Sequence, residues 1–300
     1  MGELRIRMKT AIISVIGKTN VGKSTLVNAL VGTKVAIVSP KPQTTRENIL
    51  GILNEENKQI VFIDTPGIHR SKNSLDSHMN KSVRTAKEGV DLIVYMIDAT
   101  DKNKNDEILA VQKLAKGEVP VLALVSKTDL VNFEKLYPFL SKINEVEGLV
   151  DIIPISTHKR RNLDVLLQKM DAFLQEGEPM FEEYEVTDKP LTFHIAEVIR
   201  ETMLYLLNEE IPHGVAVVVT KLEEGKTTKI DAEIVCEKDS HKPIIIGKNG
   251  EKLKKIGEKS RFLLEKQLKT KIMLSLFVKI IPDWRSKPNE IKRLGISDYS

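Results

Sequence analysis

Residues 11–25 read AIISVIGKTNVGKST, and this stretch decides the fold. Five of the six residues from 11 to 16 are apolar, which is typical of a buried parallel strand. An unbroken G-x-x-x-x-G-K-S follows at 17–24, and the helical pattern TLVNAL comes next. Strand, glycine loop and helix stand in the order that a phosphate-binding loop requires. The stretch therefore predicts a site for a nucleotide triphosphate.

Each part of this loop has a physical task in the predicted site. Glycines let backbone N–H groups turn towards a phosphate, and the helix N-terminus adds its partial positive charge. Lys23 is expected to reach the β- and γ-phosphates, and the Ser24 hydroxyl is expected to ligate Mg²⁺. The loop residues predicted to contact the nucleotide are Gly17, Asn20, Gly22, Lys23, Ser24 and Thr25.

A second motif, D-T-P-G at 64–67, directly follows a strand pattern. It matches the D-x-x-G of GTP-binding switches, in which Asp64 would hold Mg²⁺ through water and the Gly67 N–H would contact the γ-phosphate. The next residue is Ile68, where small signalling GTPases carry a glutamine that orients the attacking water. We therefore expect slow intrinsic hydrolysis, which suits a switch.

The base-reading element is predicted at 126–129, where S-K-T-D stands in place of the usual N-K-x-D. Asp129 can accept hydrogen bonds from guanine N1 and from the exocyclic amine, which adenine cannot satisfy. The stem of Lys127 would lie across the base. Ser126 keeps a hydroxyl but lacks the reach of an amide, so we expect guanine specificity with weaker affinity.

The loop after the last predicted strand of this region begins with Ser156 and Thr157, and its sequence S-T-H-K stands where GTPases have S-A-x-K. Its backbone is expected to meet the guanine carbonyl. His158 is interpreted as a solvated loop residue.

Apolar runs alternate with helical patterns along the first 175 residues, which predicts a mostly parallel sheet covered on both faces. After the first strand, strands are predicted at 47–53, 59–64, 90–98, 119–126 and 151–156. Helices are predicted at 76–88, 105–116, 133–144 and 161–174. Since ligands sit at the carboxyl ends of parallel strands, it matters that each motif follows a predicted strand.

Composition limits the class of protein. The chain has 300 residues, of which 41% are hydrophobic and 29% charged, as in ordinary globular proteins. The single cysteine, Cys236, excludes an internal disulfide and favours a reducing compartment. No run approaches the ~18 apolar residues of a membrane span, and no signal peptide is expected. These features predict a cytoplasmic protein, which we expect to be a monomer.

Charge is uneven along the chain. Residues 241–300 carry 15 Lys and Arg against 6 Asp and Glu, whereas the other 240 residues carry 31 against 36. The polyanion-binding surface is therefore expected near the C-terminus.

The predicted domains are 1–175, an acidic linker at 176–189, and 190–300 with a C-terminal tail. In the last domain the predicted order is helix, strand, strand, helix, G-x-x-G, helix and strand. That order, together with PIIIGKNGEKLKKIG, resembles a type II KH domain. The predicted fold class is thus an α/β P-loop GTPase domain followed by an α+β type II KH domain.

The KH-like loop suits single-stranded RNA, because two glycines let the backbone approach a sugar–phosphate chain and lysines supply charge. The residues predicted to bind RNA are Ile246, Gly247, Lys248, Asn249, Gly250, Lys252, Lys254 and Lys255. Trp284, the only tryptophan, fits a packing anchor and a base platform equally well.

The combination of P-Q-T-T-R at 42–46, D-T-P-G, I-I-I-G-K-N-G and P-D-W-R resembles the Era family over nearly the whole chain. The resemblance implies a GTPase of small ribosomal subunit assembly that binds the 3′ end of 16S rRNA and docks on the 30S subunit. It implies Thr45 as a Mg²⁺ ligand in the first switch, with Thr44 as the alternative. It also implies a role for Asn20 in binding K⁺ that assists catalysis, although Asn20 fits a simple turn residue equally well.

The expected cofactors are therefore GTP or GDP, Mg²⁺ and K⁺, and Lys23, Thr45, Gly67 and Asn20 are the residues expected to serve catalysis. Bound γ-phosphate is expected to order 37–46 and 64–70 and thereby to control RNA affinity. Two alternatives stay open. One is an RNA chaperone whose nucleotide site is structural, and the other is a GTP-dependent regulator of the cell cycle or membrane that does not act through RNA. Some family members associate peripherally with the inner membrane, which here would be electrostatic or partner-mediated.

Overall fold

The computed structural model describes residues 8–68, 73–207 and 211–296. Residues 69 and 70 of the predicted second switch lie outside these ranges, and so does the end of the predicted tail after residue 296.

The described residues form two compact units. The division does not follow the chain order, because the segment predicted as the first switch belongs with the C-terminal part. The first unit holds 8–36, 48–68 and 79–188, and the second holds 37–47, 73–78, 189–207 and 211–296. The domain boundaries given above stay a prediction.

The first unit is built on a mostly parallel sheet with strand order β2-β3-β1-β4-β5-β6. Only β2 runs antiparallel to its neighbour within that order. The strands are β1 (Met8–Gly17), β2 (Ile49–Glu55), β3 (Lys58–Asp64), β4 (Leu92–Asp98), β5 (Val121–Ser126) and β6 (Leu149–Pro154). Each agrees with a predicted strand, with ends that differ by up to two residues apart from the start of β1.

Side chains of this sheet pack on both of its faces, as expected for parallel strands that read as continuous apolar runs. Along β4, Leu92, Val94 and Met96 enter one apolar cluster. Ile93 and Ile97, which alternate with them, enter another. The alternation follows from the period of two along a strand.

Helices accompany these strands at the positions that the sequence predicts. They are α1 (Lys23–Val31), α2 (Ser74–Thr85), α3 (Lys104–Ala115), α4 (Phe133–Asn144) and α5 (Leu163–Met170). The bounds of α4 match the prediction at both ends, because its buried face repeats at helical spacing and Asn132 caps its start by accepting a hydrogen bond from the Glu134 N–H at 2.8 Å.

The segment predicted as an acidic linker is attached to the first unit. A short strand, β7 (Gln175–Gly177), pairs antiparallel with the start of β1. Further along, the carbonyl of Val186 accepts a hydrogen bond from the Ile52 N–H at 2.9 Å, beside the edge strand β2. Residues 175–188 therefore extend the first unit, first by pairing with β1 and then by hydrogen bonding to the edge strand β2.

The second unit contains the order of elements predicted for a type II KH domain. A three-stranded sheet has the order β10-β9-β8, in which β9 and β10 are parallel and β8 and β9 are antiparallel. The elements are α6 (Leu191–Leu206), β8 (Val215–Glu223), β9 (Thr227–Cys236), α7 (His241–Ile246), α8 (Glu251–Leu268), β10 (Lys271–Ile280) and α9 (Pro288–Arg293). Helix α9 was not predicted. Cys236 is fully buried in the core of this unit, as expected for a small apolar side chain.

Candidate nucleotide and RNA sites

The predicted phosphate loop links β1 to α1 and owes its shape to glycine. Gly17 and Gly22 have φ angles of 155° and 101°, which residues other than glycine rarely adopt. A Cβ on Gly17 would also lie 2.5 Å from the carbonyl oxygen of Met96 on β4. Asn20 is left-handed with φ of 63°, a conformation that asparagine tolerates, and its side chain is exposed.

Lys23 is enclosed by this loop. Its side chain is buried, and Nζ donates to the carbonyl oxygens of Gly17 at 3.2 Å and Lys18 at 2.9 Å. Burial lowers the pKa of Lys23 to about 8, even though the charge of Asp64 acts in the opposite direction. The loop thus holds an ammonium group where its own backbone turns inward.

Ser24 and Asp64 lie side by side, although 40 residues separate them in sequence. The Ser24 hydroxyl donates to Asp64 Oδ2 at 2.6 Å, and Asp64 is fully buried at the end of β3. Within the described ranges, no group of three or more His, Cys, Asp or Glu side chains is placed to hold a metal ion. A hydroxyl–carboxylate pair nevertheless suits Mg²⁺, which takes few protein ligands and fills its shell with water and phosphate oxygens.

The D-T-P-G segment packs directly against the phosphate loop. The Ile68 N–H donates to the carbonyl of Gly17 at 3.1 Å, and Thr65 Oγ1 donates to the carbonyl of Val15 at 2.8 Å. A Cβ on Gly67 would lie 2.6 Å from Thr19 Cα, so glycine is required here by close approach of two backbones.

Asp129 and Ser156 meet at the far end of the site. The Ser156 hydroxyl donates to Asp129 Oδ1 at 2.5 Å, and this hydrogen bond is the main reason that the pKa of Asp129 is lowered. Ser156 is fully buried, and its Oγ also accepts from the Lys159 N–H at 3.1 Å. The neighbouring Thr157 is partly exposed. Asp129 is thus fixed as a carboxylate acceptor.

Ser126 and Lys127 tie this end of the site to the phosphate loop. The buried Ser126 Oγ lies 2.8 Å from the carbonyl oxygen of Val21 and 3.0 Å from that of Ile97. Lys127 Nζ donates to the carbonyl of Asn20 at 2.7 Å and pairs with Asp98 at 2.6 Å. The Ser126 hydroxyl therefore reaches both the phosphate loop and strand β4, although it is shorter than the asparagine side chain usual at this position.

The structure brings Lys23, Ser24, Asp64 and Gly67 together around one loop and places Thr45 in the second unit. Thr45 is buried there. Asp98, which the sequence analysis missed, ends a buried parallel strand, and that position was the signal that could have identified it.

Between α7 and α8 of the second unit, the G-x-x-G loop presents its middle residues to solvent. Gly247, Asn249 and Gly250 all have positive φ, of 76°, 51° and 79°. A Cβ on Gly247 would lie 2.7 Å from Lys252 Cβ. Lys248 and Asn249 are exposed at the tip. Only glycine fits position 247 without strain.

A groove of about 460 Å³ opens beside this loop, between α8 and β10. Gly250 and Lys254 are the two predicted RNA-binding residues in its lining. The other lining residues are Leu253, Gly257, Glu258, Arg261, Leu274 and Leu276. The three leucines of this lining were missed because their spacing reads as core packing. Lysine and arginine over an apolar floor suit a sugar–phosphate chain with partly stacked bases.

Trp284 is a packing anchor. It is fully buried, and its Nε1 donates to the carbonyl of Gly214 at 3.0 Å. Of its two predicted roles, a base platform is therefore wrong.

Elsewhere, no helix among the described residues is both long and apolar enough to cross a membrane.

Family models match both units. Residues 12–127 match a model described as a 50S ribosome-binding GTPase, and residues 210–285 match a KH domain model. A protein named GTPase Era from Clostridium botulinum strain Hall is 41% identical over 289 residues, which cover 96% of this chain and 98% of that protein. GTPase Era from Ruminiclostridium cellulolyticum is 43% identical over 290 residues, with coverage of 96% and 97%.

Two solved structures resemble the chain closely. One is a crystal structure of Era in complex with MgGDPNP and nucleotides 1506–1542 of 16S ribosomal RNA, with 39% identity and a TM-score of 0.91. The other is a variant of Aquifex aeolicus Era bound to GDP and AlF4⁻, with 38% identity and a TM-score of 0.91. Each likeness covers 97% of this chain and 100% of the other chain.

Proposed function

Because this chain belongs to the Era family of GTPases, we propose that it is a GTP-hydrolysing switch that binds the 3′ end of 16S rRNA and assists maturation of the 30S subunit. One observation carries this proposal. The nucleotide motifs lie together at the carboxyl edge of one parallel sheet, and the same chain carries a G-x-x-G loop beside an apolar, basic groove.

In the nucleotide site, Lys23 binds the β- and γ-phosphates, and the backbone from Gly17 to Thr25 surrounds the phosphates. Asp129 selects guanine, because its carboxylate accepts from N1 and from the exocyclic amine, and Ser156 holds that carboxylate in place. The stem of Lys127 lies across the base while its ammonium binds the phosphate loop, and Ser126 and Thr157 line the base pocket.

Ser24 and Asp64 are the residues that would hold Mg²⁺, and Thr45 is proposed to join them in the GTP state. When bound, the ion neutralises charge on the β- and γ-phosphates. The Gly67 N–H is proposed to contact the γ-phosphate, which its close packing on the phosphate loop supports. We further propose that Asn20, left-handed at the loop, helps to bind K⁺, so that replacing K⁺ by Na⁺ slows turnover.

In the RNA site, the backbone at 247–250 approaches the phosphate chain, and Ile246, Lys248, Asn249, Lys252, Lys254 and Lys255 surround it. About four nucleotides fit a KH loop of this kind. Leu274 and Leu276 then form the floor on which bases lie. The relative crystallised with nucleotides 1506–1542 of 16S rRNA supports this choice of RNA.

The two activities are proposed to be coupled. Segment 37–47, which contains Thr45, is held by the second unit through Val38 N–H to Glu201 Oε1 at 3.1 Å and through Lys41 to the carbonyl of Leu207. Ordering of this segment by the γ-phosphate would therefore act on the RNA-binding unit. We propose that the protein is a cytoplasmic monomer that makes peripheral, electrostatic or partner-mediated contact with the membrane.

The test is GTP hydrolysis by the purified chain in K⁺ buffer, with a short RNA copying the 3′ end of 16S rRNA or with a scrambled RNA. Stimulation by the first RNA alone is expected. Turnover that neither RNA changes would leave a GTPase without the coupling. Absence of turnover above a Lys23→Ala background would overturn the enzymatic assignment.

A further inference from the structure

Three consecutive carbonyl oxygens in the second unit all accept hydrogen bonds from two side chains. His213 accepts from Arg46 Nη2 at 3.0 Å, Gly214 from Trp284 Nε1 at 3.0 Å, and Val215 from Arg46 Nη1 at 2.7 Å. The guanidinium carbon of Arg46 also lies 5.6 Å from the centroid of the Trp284 ring, within the range of a cation–π contact. Arg46 and Trp284 thus bind the same backbone segment, residues 213–215, and contact each other.

This arrangement keeps a cation out of water. Arg46 is 6% exposed and Trp284 is fully buried. Burial, followed by the nearby charge of Arg200, lowers the pKa of Arg46 to about 9. Two carbonyl hydrogen bonds and the face of the Trp284 ring offset the cost of desolvating the guanidinium. Arg46 therefore stays buried at this position only while all three contacts are kept.

On one side, Trp284 is linked to the groove. Strand β10 lines the groove with Leu274 and Leu276, and it ends at Ile280, four residues before Trp284. A chain that enters between α8 and β10 therefore acts on the strand that leads into the turn containing Trp284.

On the other side, the turn at 284–286 that contains Trp284 is linked to the sequence neighbours of both predicted switches. Arg46 directly follows Thr45, the predicted Mg²⁺ ligand. Ser74, at the start of α2 after the D-T-P-G segment, donates through Oγ to the carbonyl of Ser286 at 3.2 Å. One short turn at 284–286 thus contacts the sequence neighbours of both switches.

We propose that Arg46 and Trp284 form a latch that passes the occupancy of the RNA groove to Thr45. The inference rests on the function proposed above. RNA in the groove shifts β10 and Trp284, and Arg46 leaves its carbonyl partners. Thr45 then loses the anchor that follows it in sequence and can take its place in the GTP state, while Val38 and Lys41 keep the start of the segment on the second unit. By reciprocity, GTP also changes the affinity for RNA.

The latch is tested with Arg46→Met, which keeps a long side chain but removes the charge and both carbonyl contacts. RNA affinity is measured with a non-hydrolysable GTP analogue and with GDP, using the short 16S 3′-end RNA. In the unchanged protein we expect these affinities to differ by about fivefold or more, and in Arg46→Met by less than about 1.5-fold. Stimulation of turnover by RNA should disappear in parallel.

Two further variants complete the experiment. Arg293→Met removes one positive charge from the same unit at an exposed ion pair with Glu290, so it should weaken RNA binding slightly and keep the ratio. Trp284→Phe keeps a ring beneath Arg46 but removes the N–H to Gly214, so it should reduce the ratio in part. Trp284→Phe decides the question if Arg46→Met does not fold.

The outcomes separate this inference from the function beneath it. If the unchanged protein shows the ratio and both Arg46→Met and Trp284→Phe keep it, the latch is overturned and the proposed function stands. If the unchanged protein binds RNA equally in both nucleotide states, the coupling itself fails and the latch fails with it.

Discussion

The loops at 17–24 and 247–250 each combine glycines at positive φ with a lysine predicted to bind phosphate groups, Lys23 and Lys248, yet they expose these two lysines very differently. Lys23 is 6% exposed, and its Nζ donates to backbone carbonyls of its own loop. Lys248 projects from the tip of its loop into solvent. The same pair of residue types therefore makes an enclosed phosphate site in one unit and an open one in the other.

The two loops gain their affinity for phosphate groups in different ways. A buried ammonium has lost most of its water, so a phosphate that reaches it is bound in a low-dielectric environment and by charge-assisted hydrogen bonds. An exposed ammonium keeps its water and contributes through counterion release, which weakens as salt rises. We therefore expect large, single-residue effects at the first loop and small, additive effects at the second.

The largest effect is expected for Lys23→Ala. Removal of the ammonium takes one hydrogen-bond donor from each of the carbonyls of Gly17 and Lys18, and it deprives the phosphates of their cation. We expect affinity for a fluorescent GTP analogue to fall by about 100-fold or more. Lys169→Ala, which removes an exposed ion pair with Asp151, is the matched control and should change affinity by less than about twofold. If Lys23→Ala lowered the affinity for the GTP analogue by less than tenfold, the enclosed lysine would contribute no more than an exposed one, and the expected difference between the loops would be wrong.

Gly247→Asp is the corresponding change at the open loop. An added Cβ would lie 2.7 Å from Lys252 Cβ in a left-handed conformation, and the carboxylate would repel phosphate. We expect RNA affinity to fall by about 20-fold in a filter-binding titration. The control is Gly225→Asp in the β8–β9 turn, where the Cβ would meet only the Thr227 carbonyl oxygen at an ordinary 3.8 Å. Equal losses in the two variants would point to charge alone and not to the backbone.

The positions of both loops and most of the surrounding fold could be predicted from the sequence, because local patterns determine them. The strand–loop–helix order fixed the position of Lys23, and apolar periodicity gave the bounds of α4 without error. The order of elements in the second unit followed from alternating and helical spacing, and Gly247 stood in the loop that this order required.

What could not be predicted depends on contacts between distant parts of the chain. The strand β7 has three residues without periodicity and is defined only by pairing with β1. Leu274 and Leu276 look like core residues until α8 is placed beside them. The seat of Arg46 on Trp284 joins residues far apart in sequence, and no local pattern signals it.

The lowered pKa of Lys23 makes nucleotide binding depend on pH. Since burial lowers its pKa to about 8, the nucleotide-free protein loses this positive charge as pH rises through that value. Bound phosphate favours the charged form, so binding requires proton uptake above pH 8. We expect GTP affinity to fall by about tenfold between pH 7 and pH 9 at constant salt. An affinity that stays level over this range would show that Lys23 keeps its proton when the loop is empty.

The smallest effect is expected for Lys248→Gln, and it tests the open loop most directly. An exposed lysine that neutralises one phosphate of a single strand contributes a slope of about −0.7 to the plot of log affinity against log salt. We expect the RNA affinity of Lys248→Gln to be about threefold lower at low salt and its slope to be shallower by about 0.7. The affinities of Lys248→Gln and the unchanged protein should therefore converge as salt rises. Lys226→Gln, with the same charge change in the exposed β8–β9 turn, should leave the slope unaltered. If Lys248→Gln instead lowered affinity equally at all salt concentrations, Lys248 would contact RNA as a desolvated group, and the open loop would work by enclosure as Lys23 does.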